Sequence, residues 1–412
     1  MNKRYFRLNP YAVYKIGEKD GCIYNLSNGQ MFRISIQNAE TLKKAEGTTE
    51  INELNNDERK FLDLLNKNGL GRYYESPVYI EKIYLGESTV LEKNAMKNVS
   101  LQKLYLEVSN ECNLNCIFCN PDDWKSYKRT GCKRWKADNC IDIDKYKDVI
   151  ERALKLGLDE IIFTGGEPFL EFEKVGKLVK FAYNLGIRKF SAYTNTIMLS
   201  EEMIEFIKKF NMNLIVQVVA LKENQFKLIT QTDLKVDIIE KMRKLINNNI
   251  NIIVKVLVNK LNEDSIEDII SQLEACGLKK RIFLDYIYPH NKEYCSSKYS
   301  NKVYDKNSKL TRSDLASYSL NRKYNKCFYN QVAITSEGDV IPCVMLRSVK
   351  LGSILEKNLY EILEEDKYYD MITLNKTRIN RCKDCSLSFG CNECMSIQYE
   401  VTGNLNEMEY CK

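Results

Sequence analysis

Three cysteines crowd one short stretch. Glu111 to Cys119 reads Glu-Cys-Asn-Leu-Asn-Cys-Ile-Phe-Cys, which sets Cys112, Cys116 and Cys119 at C-x3-C-x2-C spacing. Three thiolates this close can hold three irons of a cubane iron–sulfur cluster. The fourth iron then lacks a protein ligand and is open to another molecule. The competing use is zinc, but zinc sites favour C-x2-C pairs completed by a further Cys or His, and the only histidine is His290, far away in sequence. A second crowd lies near the other end. Cys327 and Cys343 frame Gly338 as C-x10-G-x4-C; Cys382, Cys385, Cys391 and Cys394 follow as C-x2-C-x5-C-x2-C; and Cys411 is second from last. That density is far above ordinary composition. It points to more metal or cluster ligation, with a zinc ribbon pair on Cys382/Cys385 and Cys391/Cys394 as the alternative.

The elements that must position these thiols belong to a chain of 412 residues, long enough for two or three domains. Hydrophobic content of 44% and charged content of 29% are those of a globular protein. No apolar run is long enough to span a bilayer, and the basic N-terminus lacks a signal-peptide core, so we expect a cytoplasmic protein with no membrane partner. In that compartment fifteen cysteines are not disulfide staples. Cys22, Cys132, Cys140, Cys276 and Cys295 stand outside the two crowds and read as ordinary thiols. The net charge of +6 is modest and does not call for nucleic acid.

Residues 1–90 read as one module. A β-meander over 11–35 turns at Glu18-Lys-Asp-Gly21 and at Asn28-Gly29. Helical stretches follow at Ala39–Ala45 and Asp57–Asn68, and Tyr73–Tyr84 is extended. This order fits a winged-helix-like domain. Its second helix mixes acidic and basic residues and offers no basic recognition face, so DNA binding is not the expected use. The other use is peptide capture, with a guest strand added to the meander's edge. A packing domain without a ligand is the plain alternative.

From residue 100 to 295 strands and helices alternate, which means parallel β/α units. The expected strands begin at Leu104, Glu160, Lys189, Asn213, Ile252 and Arg281. Six of them make a partial (β/α)6 TIM-type barrel, with its chemistry on loops after the strands. The cysteine loop follows the first strand. Thr164-Gly-Gly-Glu-Pro168 follows the second, where two glycines let backbone approach a ligand and where the Glu167 carboxylate and nearby carbonyls could accept bonds from an ammonium group. An insertion over 120–140 carries both tryptophans and many basic residues; a peptide-gripping lid and a plain solvated loop are equal readings of it. A linker over 291–325 leads to a cysteine domain over 320–412.

With Cys112, Cys116, Phe118 and Cys119 on the first strand's loop and Gly165, Gly166, Glu167 and Pro168 on the second, the chain resembles the radical S-adenosylmethionine superfamily. The resemblance implies a [4Fe–4S] cluster on the three cysteines. It also implies S-adenosylmethionine on the open iron, the Gly-Gly-Glu loop at the methionine ammonium, and Phe118 by the adenine. Reductive cleavage would then give a 5′-deoxyadenosyl radical that abstracts a hydrogen atom. Asn195, where relatives have Thr-Asn-Gly, and Gln217 are further cofactor-binding candidates. The carboxylate contact has no assignable residue, because the arginine common in relatives is not evident near Leu228–Thr232.

The tail resembles the SPASM auxiliary-cluster domain. Carried over, one auxiliary [4Fe–4S] cluster takes Cys327, Cys343 and Cys394, and a second takes Cys382, Cys385, Cys391 and Cys411. Relatives usually have one more residue before the fourth cysteine of the dense run. The first set has three ligands, so an open iron there could take a substrate thiolate. Taken together, the resemblances imply a maturase of ribosomally made peptides, of the sactipeptide or ranthipeptide type, its N-terminal module resembling a precursor-recognition element. Such an enzyme would bind a precursor peptide with a leader, draw electrons from a flavodoxin or ferredoxin-type donor, and install a crosslink, a cysteine thioether first of all. An anaerobic sulfatase-maturating enzyme and, from another class, a DNA-binding iron–sulfur sensor are the rivals.

Overall fold

The computed structural model describes residues 4–79, 99–119, 140–289 and 292–411. The tryptophan-bearing insertion lies, apart from Cys140, outside the described residues.

The N-terminal part holds five strands, β1 (Tyr5–Leu8), β2 (Ala12–Ile16), β3 (Asp20–Asn25), β4 (Gln30–Ser35) and β5 (Gly71–Tyr74), and two helices, α1 (Ile36–Ala45) and α2 (Asn56–Lys67). Strands β2, β3 and β4 form the antiparallel meander, with β2 and β4 at its edges, while β1 pairs with β5. Asn55 caps α2 in a reciprocal box with Glu58, satisfying donors the helix leaves open. Phe61, Leu62 and Leu65 of α2 pack with Phe6, Ile23 and Leu42 in a small core of their own.

The central part alternates. Strands β6 (Lys103–Ser109), β7 (Glu160–Gly165), β8 (Lys189–Thr194), β9 (Asn213–Val218), β10 (Ile252–Val258) and β11 (Ile282–Tyr286) lie side by side in chain order, all parallel. Between them run α3 (Ile143–Lys155), α4 (Phe172–Asn184), α5 (Glu201–Lys209), α6 (Glu223–Thr230), α7 (Ile238–Asn247) and α8 (Ile266–Leu273). The helices form where apolar residues recur at helical spacing behind a capping side chain. Asp142 accepts Lys145 N–H at the start of α3, which buries Tyr146, Val149, Ile150 and Ala153. The six-stranded partial barrel of the sequence reading is present. One element was not expected: α6, in the stretch where sequence showed only a missing arginine.

The sheet does not stop at the first barrel strand. In the tail β12 (Gln331–Ile334) pairs parallel to β6, and β13 (Asp339–Ile341) and β14 (Gly352–Ser353) extend it to nine strands. Five helices complete this part: α9 (Leu315–Lys323), α10 (Leu359–Glu364), α11 (Asp366–Thr373), α12 (Asn380–Lys383) and α13 (Met395–Thr402). A buried ion pair stitches the join. Glu107 of β6 accepts Ser336 Oγ–H at 2.9 Å and pairs with Arg347 at 2.8 Å. Among the described residues no helix is long and apolar enough to cross a membrane.

Candidate functional site

The cysteine loop leaves the end of β6 and is tied down from two sides. On one side it is zipped to the glycine loop: Gly166 N–H donates to Ser109 O at 3.0 Å and Glu167 N–H to Glu111 O at 2.7 Å. The glycines allow this approach, because a Cβ on Gly166 would stand 1.9 Å from Glu111 O, and one on Gly165 would stand 1.9 Å from Ser109 O. Gly165 also has φ of +132°, which L side chains rarely adopt. On the other side α6 supplies its last carbonyls, which an α-helix leaves without internal partners. Asn115 N–H donates to Thr230 O at 2.9 Å and Ile117 N–H to Ile229 O at 3.0 Å. The helix that sequence reading missed is therefore one wall of the site.

Cys112 and Cys116 line a pocket with Asn195, Gln217 and, from elements not singled out before, Ile197, Phe226 and Ile238. No charged side chain lines it. The enclosed space is about 20 Å³, too small by itself to enclose a group of nucleoside size. The Asn195 amide is 2.8 Å from Asn113 Oδ1 and 3.9 Å from Cys112 Sγ. Asn113 Nδ2 is buried with no hydrogen-bond partner among the described residues. Amides around a thiolate are the usual means of orienting it and tuning a cluster. Cys119 closes the loop's turn, its N–H on Cys116 O at 2.8 Å.

Glu167 departs from expectation. Its carboxylate does not face the pocket: the residue is 0% exposed, and it accepts Asn195 N–H at 2.8 Å, Thr194 Oγ1–H at 2.9 Å and Phe169 N–H at 3.2 Å. Burial pushes its pKa up to about 7 against the pull of those bonds. Glu167 thus braces the loop that presents Asn195. Phe118 is likewise 0% exposed and packs in the main core, so it does not line the pocket.

The tail cysteines fall into two groups. Cys343 is pushed up to about 12, first by burial and then by Cys394, with Cys327 contributing. Cys382 is pushed up to about 11 by burial, and Cys391, Cys411 and Cys385 add to this. Buried thiols that raise one another's pKa give up their protons when a metal's positive charge arrives, as metal-ligand sets do. None of the described cysteines is in a disulfide. Among the described residues no three Cys, His, Asp or Glu side chains close on a single-ion position. Lys376, which sequence gave no reason to select, lies with Cys327, Cys391 and Glu393 around a cavity of about 280 Å³. Burial opposes its charge, but Cys382, Cys391, Cys327 and Glu393 outweigh burial and raise its pKa. A cation there complements the thiols and the carboxylate around it.

Between the two regions lies the inner face of the sheet. The register places Tyr105, Tyr193, Gln217, Lys255 and Asp285 on one face. Lys255 and Asp285 pair at 3.4 Å, and Lys255 Nζ is 5.7 Å from the Tyr193 ring centre. Burial raises the pKa of both Tyr105 and Tyr193, and Cys343 is among the charges acting on each. One polar face therefore runs from the Gln217 side of the pocket toward the tail cysteines.

Comparison with known proteins agrees with this layout. Residues 106–273 match the Radical SAM superfamily, and residues 327–386 match SPASM, an iron–sulfur cluster-binding domain. GTP 3′,8-cyclase of Clostridium botulinum (strain Okra / Type B1) is 28% identical over 282 residues, 62% of this chain and 84% of that protein. An uncharacterised protein of Methanocaldococcus jannaschii is 27% identical over 273 residues, 63% of this chain and 90% of that one. Streptococcus suis SuiB bound to S-adenosylmethionine superposes with a TM-score of 0.52 at 14% identity, covering 99% of this chain and 100% of SuiB. The enzyme anSMEcpe with bound AdoMet gives 0.52 at 18%, covering 75% of this chain and 90% of that one. At such identities the structural likeness is one of fold. The cysteine loop and the partial barrel thus lie in a stretch that matches the Radical SAM superfamily, and the tail in one that matches the SPASM iron–sulfur cluster-binding domain.

Proposed function

We propose that the chain is a peptide maturase that installs a crosslink, most simply a cysteine thioether, in a ribosomally made precursor. The observation that carries this reading is the way the N-terminal module is built into the cysteine tail. Glu18 N–H donates to Asp384 O at 2.9 Å and Tyr24 Oη–H to Ser386 O at 2.5 Å, and Tyr24 packs with Tyr318 and Phe389. A strand-edged module fixed beside a radical barrel is suited to holding one end of a peptide while another part is modified. Two fold neighbours were solved with peptides, SuiB with the precursor peptide SuiA and anSMEcpe with Cp18Cys peptide.

In this reading Cys112, Cys116 and Cys119 hold the [4Fe–4S] cluster, and Asn195, Gln217 and backbone beside Gly166 hold S-adenosylmethionine. When bound, these cofactors supply a 5′-deoxyadenosyl radical able to take a hydrogen atom. The chain's own part is to place the peptide. The face bearing Tyr105, Tyr193, Lys255 and Asp285 offers donors and acceptors to an extended backbone. Cys327, Cys343 and Cys394 offer three thiolates where Cys382, Cys385, Cys391 and Cys411 offer four, which leaves one position for a substrate thiolate. A flavodoxin or ferredoxin-type protein would deliver the electrons.

The named relatives suggest a second reading, a nucleotide substrate as in GTP 3′,8-cyclase. That likeness covers 62% of the chain and gives the N-terminal module no task. Anaerobic incubation with reductant and S-adenosylmethionine separates the readings. Co-expression with a cysteine-containing peptide encoded beside the gene should give paired hydrogen loss by mass spectrometry, and GTP should be left unchanged. Conversion of GTP, or no mass change in any neighbouring peptide, rejects the maturase reading. Replacing Cys112, Cys116 and Cys119 by Ala should abolish 5′-deoxyadenosine yet leave iron bound in the tail.

A further inference from the structure

The inner face of the barrel sheet is not polar throughout. Side chains alternate between the two faces of a strand. In β10, Ile252, Val254 and Val256 lie in the main core, and in β11, Ile282 and Leu284 pack against it. Ile253, Lys255, Phe283 and Asp285 therefore turn to the other face. Two of them are apolar and in the open: Ile253 is 36% exposed and Phe283 52%. A parallel sheet is ordinarily covered on both faces, so apolar side chains left bare on the inner one are open to a visiting ligand.

The register fixes where these residues stand. Gln217 of β9 is level with Lys255 of β10, and Lys255 is level with Phe283 of β11. Gln217 lines the pocket with Cys112 and Cys116. Neighbouring strands are about 4.8 Å apart, so Phe283 stands roughly 10 Å from Gln217 along one row. In the row beneath, Ile253 is level with Ile215, and Ile215 with Tyr193. Lys255 sits between the pocket and Phe283, and its charge is met by Asp285 at 3.4 Å. The cation in this row is therefore balanced and does not call for an anion. Strand β11 ends the sheet, which puts Phe283 at the rim of the face.

We propose that Phe283 and Ile253 seat a large apolar side chain, aromatic or branched aliphatic, of the peptide that the barrel modifies. The proposal rests on the peptide-maturase reading and adds a sequence requirement on the substrate. The position that loses hydrogen lies at the pocket, beside Gln217. An extended peptide advances about 3.3 Å per residue, so an offset of roughly 10 Å sets the seated residue about three positions away. The face is the concave side of a partial barrel, which suits a slender extended chain better than the surface of a second copy. Phe283 and Ile253 thus choose the register in which the peptide passes the pocket.

The test uses the full chain, reconstituted anaerobically, and fluorescein-labelled hexapeptides Gly-Ser-X-Ser-Gly-Cys with phenylalanine, leucine, serine or lysine at X, followed by anisotropy. The phenylalanine and leucine peptides should bind about tenfold tighter than the serine peptide, the lower range of what an apolar pocket discriminates. Phe283→Ser and Ile253→Ser should each shrink that preference, and Phe283→Leu should keep it. Both side chains are exposed, so the fold should tolerate these changes; if one variant misfolds, the other carries the test. Phe32→Ser, an exposed aromatic of β4, should change nothing, and GTP should not displace the phenylalanine peptide. Equal binding of the phenylalanine and serine peptides, a preference untouched in Phe283→Ser, or displacement by GTP overturns the seat. So does light scattering that shows a dimeric parent made monomeric by Phe283→Ser, which would make the face a contact between copies. The two readings fail separately. A chain that modifies its neighbouring precursor equally well with Phe283→Ser loses only this seat. One that binds the probes as described and modifies no peptide loses only the maturase reading.

Discussion

The side-chain amide of Asn195 lies 3.9 Å from the sulfur of Cys112, and it is placed there from behind, because Glu167 holds the backbone N–H of the same residue at 2.8 Å. The second and third strand loops of the barrel therefore act on the first through one asparagine. Replacing Asn195 by Leu keeps the bulk and removes the amide. The expected result is a protein with unchanged iron content whose S-adenosylmethionine cleavage falls about 10–100-fold, the usual effect of losing an outer partner of a metal ligand. Anaerobic 5′-deoxyadenosine formation and the spectrum of the reduced cluster are the measurements. A normal rate with a normal spectrum would show that the amide leaves Cys112 untuned.

Glu167 makes a prediction about pH. Its folded pKa of about 7 stands above the ordinary 4.5 because burial disfavours the carboxylate. The folded state therefore binds this proton more tightly than the unfolded chain does. The stability it lends is complete below about 4.5 and is lost as pH rises through 7. The shift corresponds to about 3 kcal/mol at most. Urea midpoints measured between those values should decline with pH in the parent and lie flatter in Glu167→Gln. The variant should be less stable at low pH, because an amide offers one acceptor oxygen to three donors. Equal slopes in the two proteins would mean that Glu167 is ionised throughout.

Gly166 is a steric prediction. An added methyl would meet Glu111 O at 1.9 Å, so Gly166→Ala must push the glycine loop off the cysteine loop. Overpacking of this kind costs about 1–3 kcal/mol, and here the displaced atoms are those that carry Cys112. Cluster content and 5′-deoxyadenosine yield should fall together while far-ultraviolet circular dichroism stays unchanged. The control is Gly176→Ala in α4, whose Cβ would come no nearer than 3.7 Å to the Phe206 ring; it should retain its cluster.

The sequence carried the cysteine loop and the glycine loop openly, because spacing alone brings their residues together, and the barrel strands showed in their alternation with helices. Orientation did not show. Nothing in Gly-Gly-Glu-Pro tells whether the carboxylate turns to the ligand or inward to Thr194 and Asn195; that depends on the loop after β8. Helix α6 was missed because Glu223–Thr230 is short and ends on Gln231 in a left-handed conformation at φ of +53°, where a glycine would have signalled the stop. The pairing of β12 with β6 joins residues more than two hundred apart, beyond the reach of local pattern. Lys376 matters only because folding sets it among cysteines from both groups.

That long-range pairing is where Glu107 belongs. Its carboxylate takes Ser336 Oγ–H at 2.9 Å and Arg347 at 2.8 Å, with side chains 9% and 16% exposed in the ion pair. It is a link between the barrel's first strand and the segment leading to Cys343. Breaking a buried pair by removing one partner costs about 3–5 kcal/mol, since the other charge stays behind uncompensated. Arg347 keeps Glu337 at 3.1 Å, so the loss in Glu107→Ala should fall at the lower end. Glu107→Gln, which keeps an acceptor for Ser336, should lose less. The readout is limited proteolysis under anaerobic conditions, with cleavage expected first between β12 and β14 and with tail-cluster iron released before iron at Cys112–Cys119. Simultaneous loss of all iron, or a protease pattern like that of the parent, would show that Glu107 and Arg347 do not join the two halves.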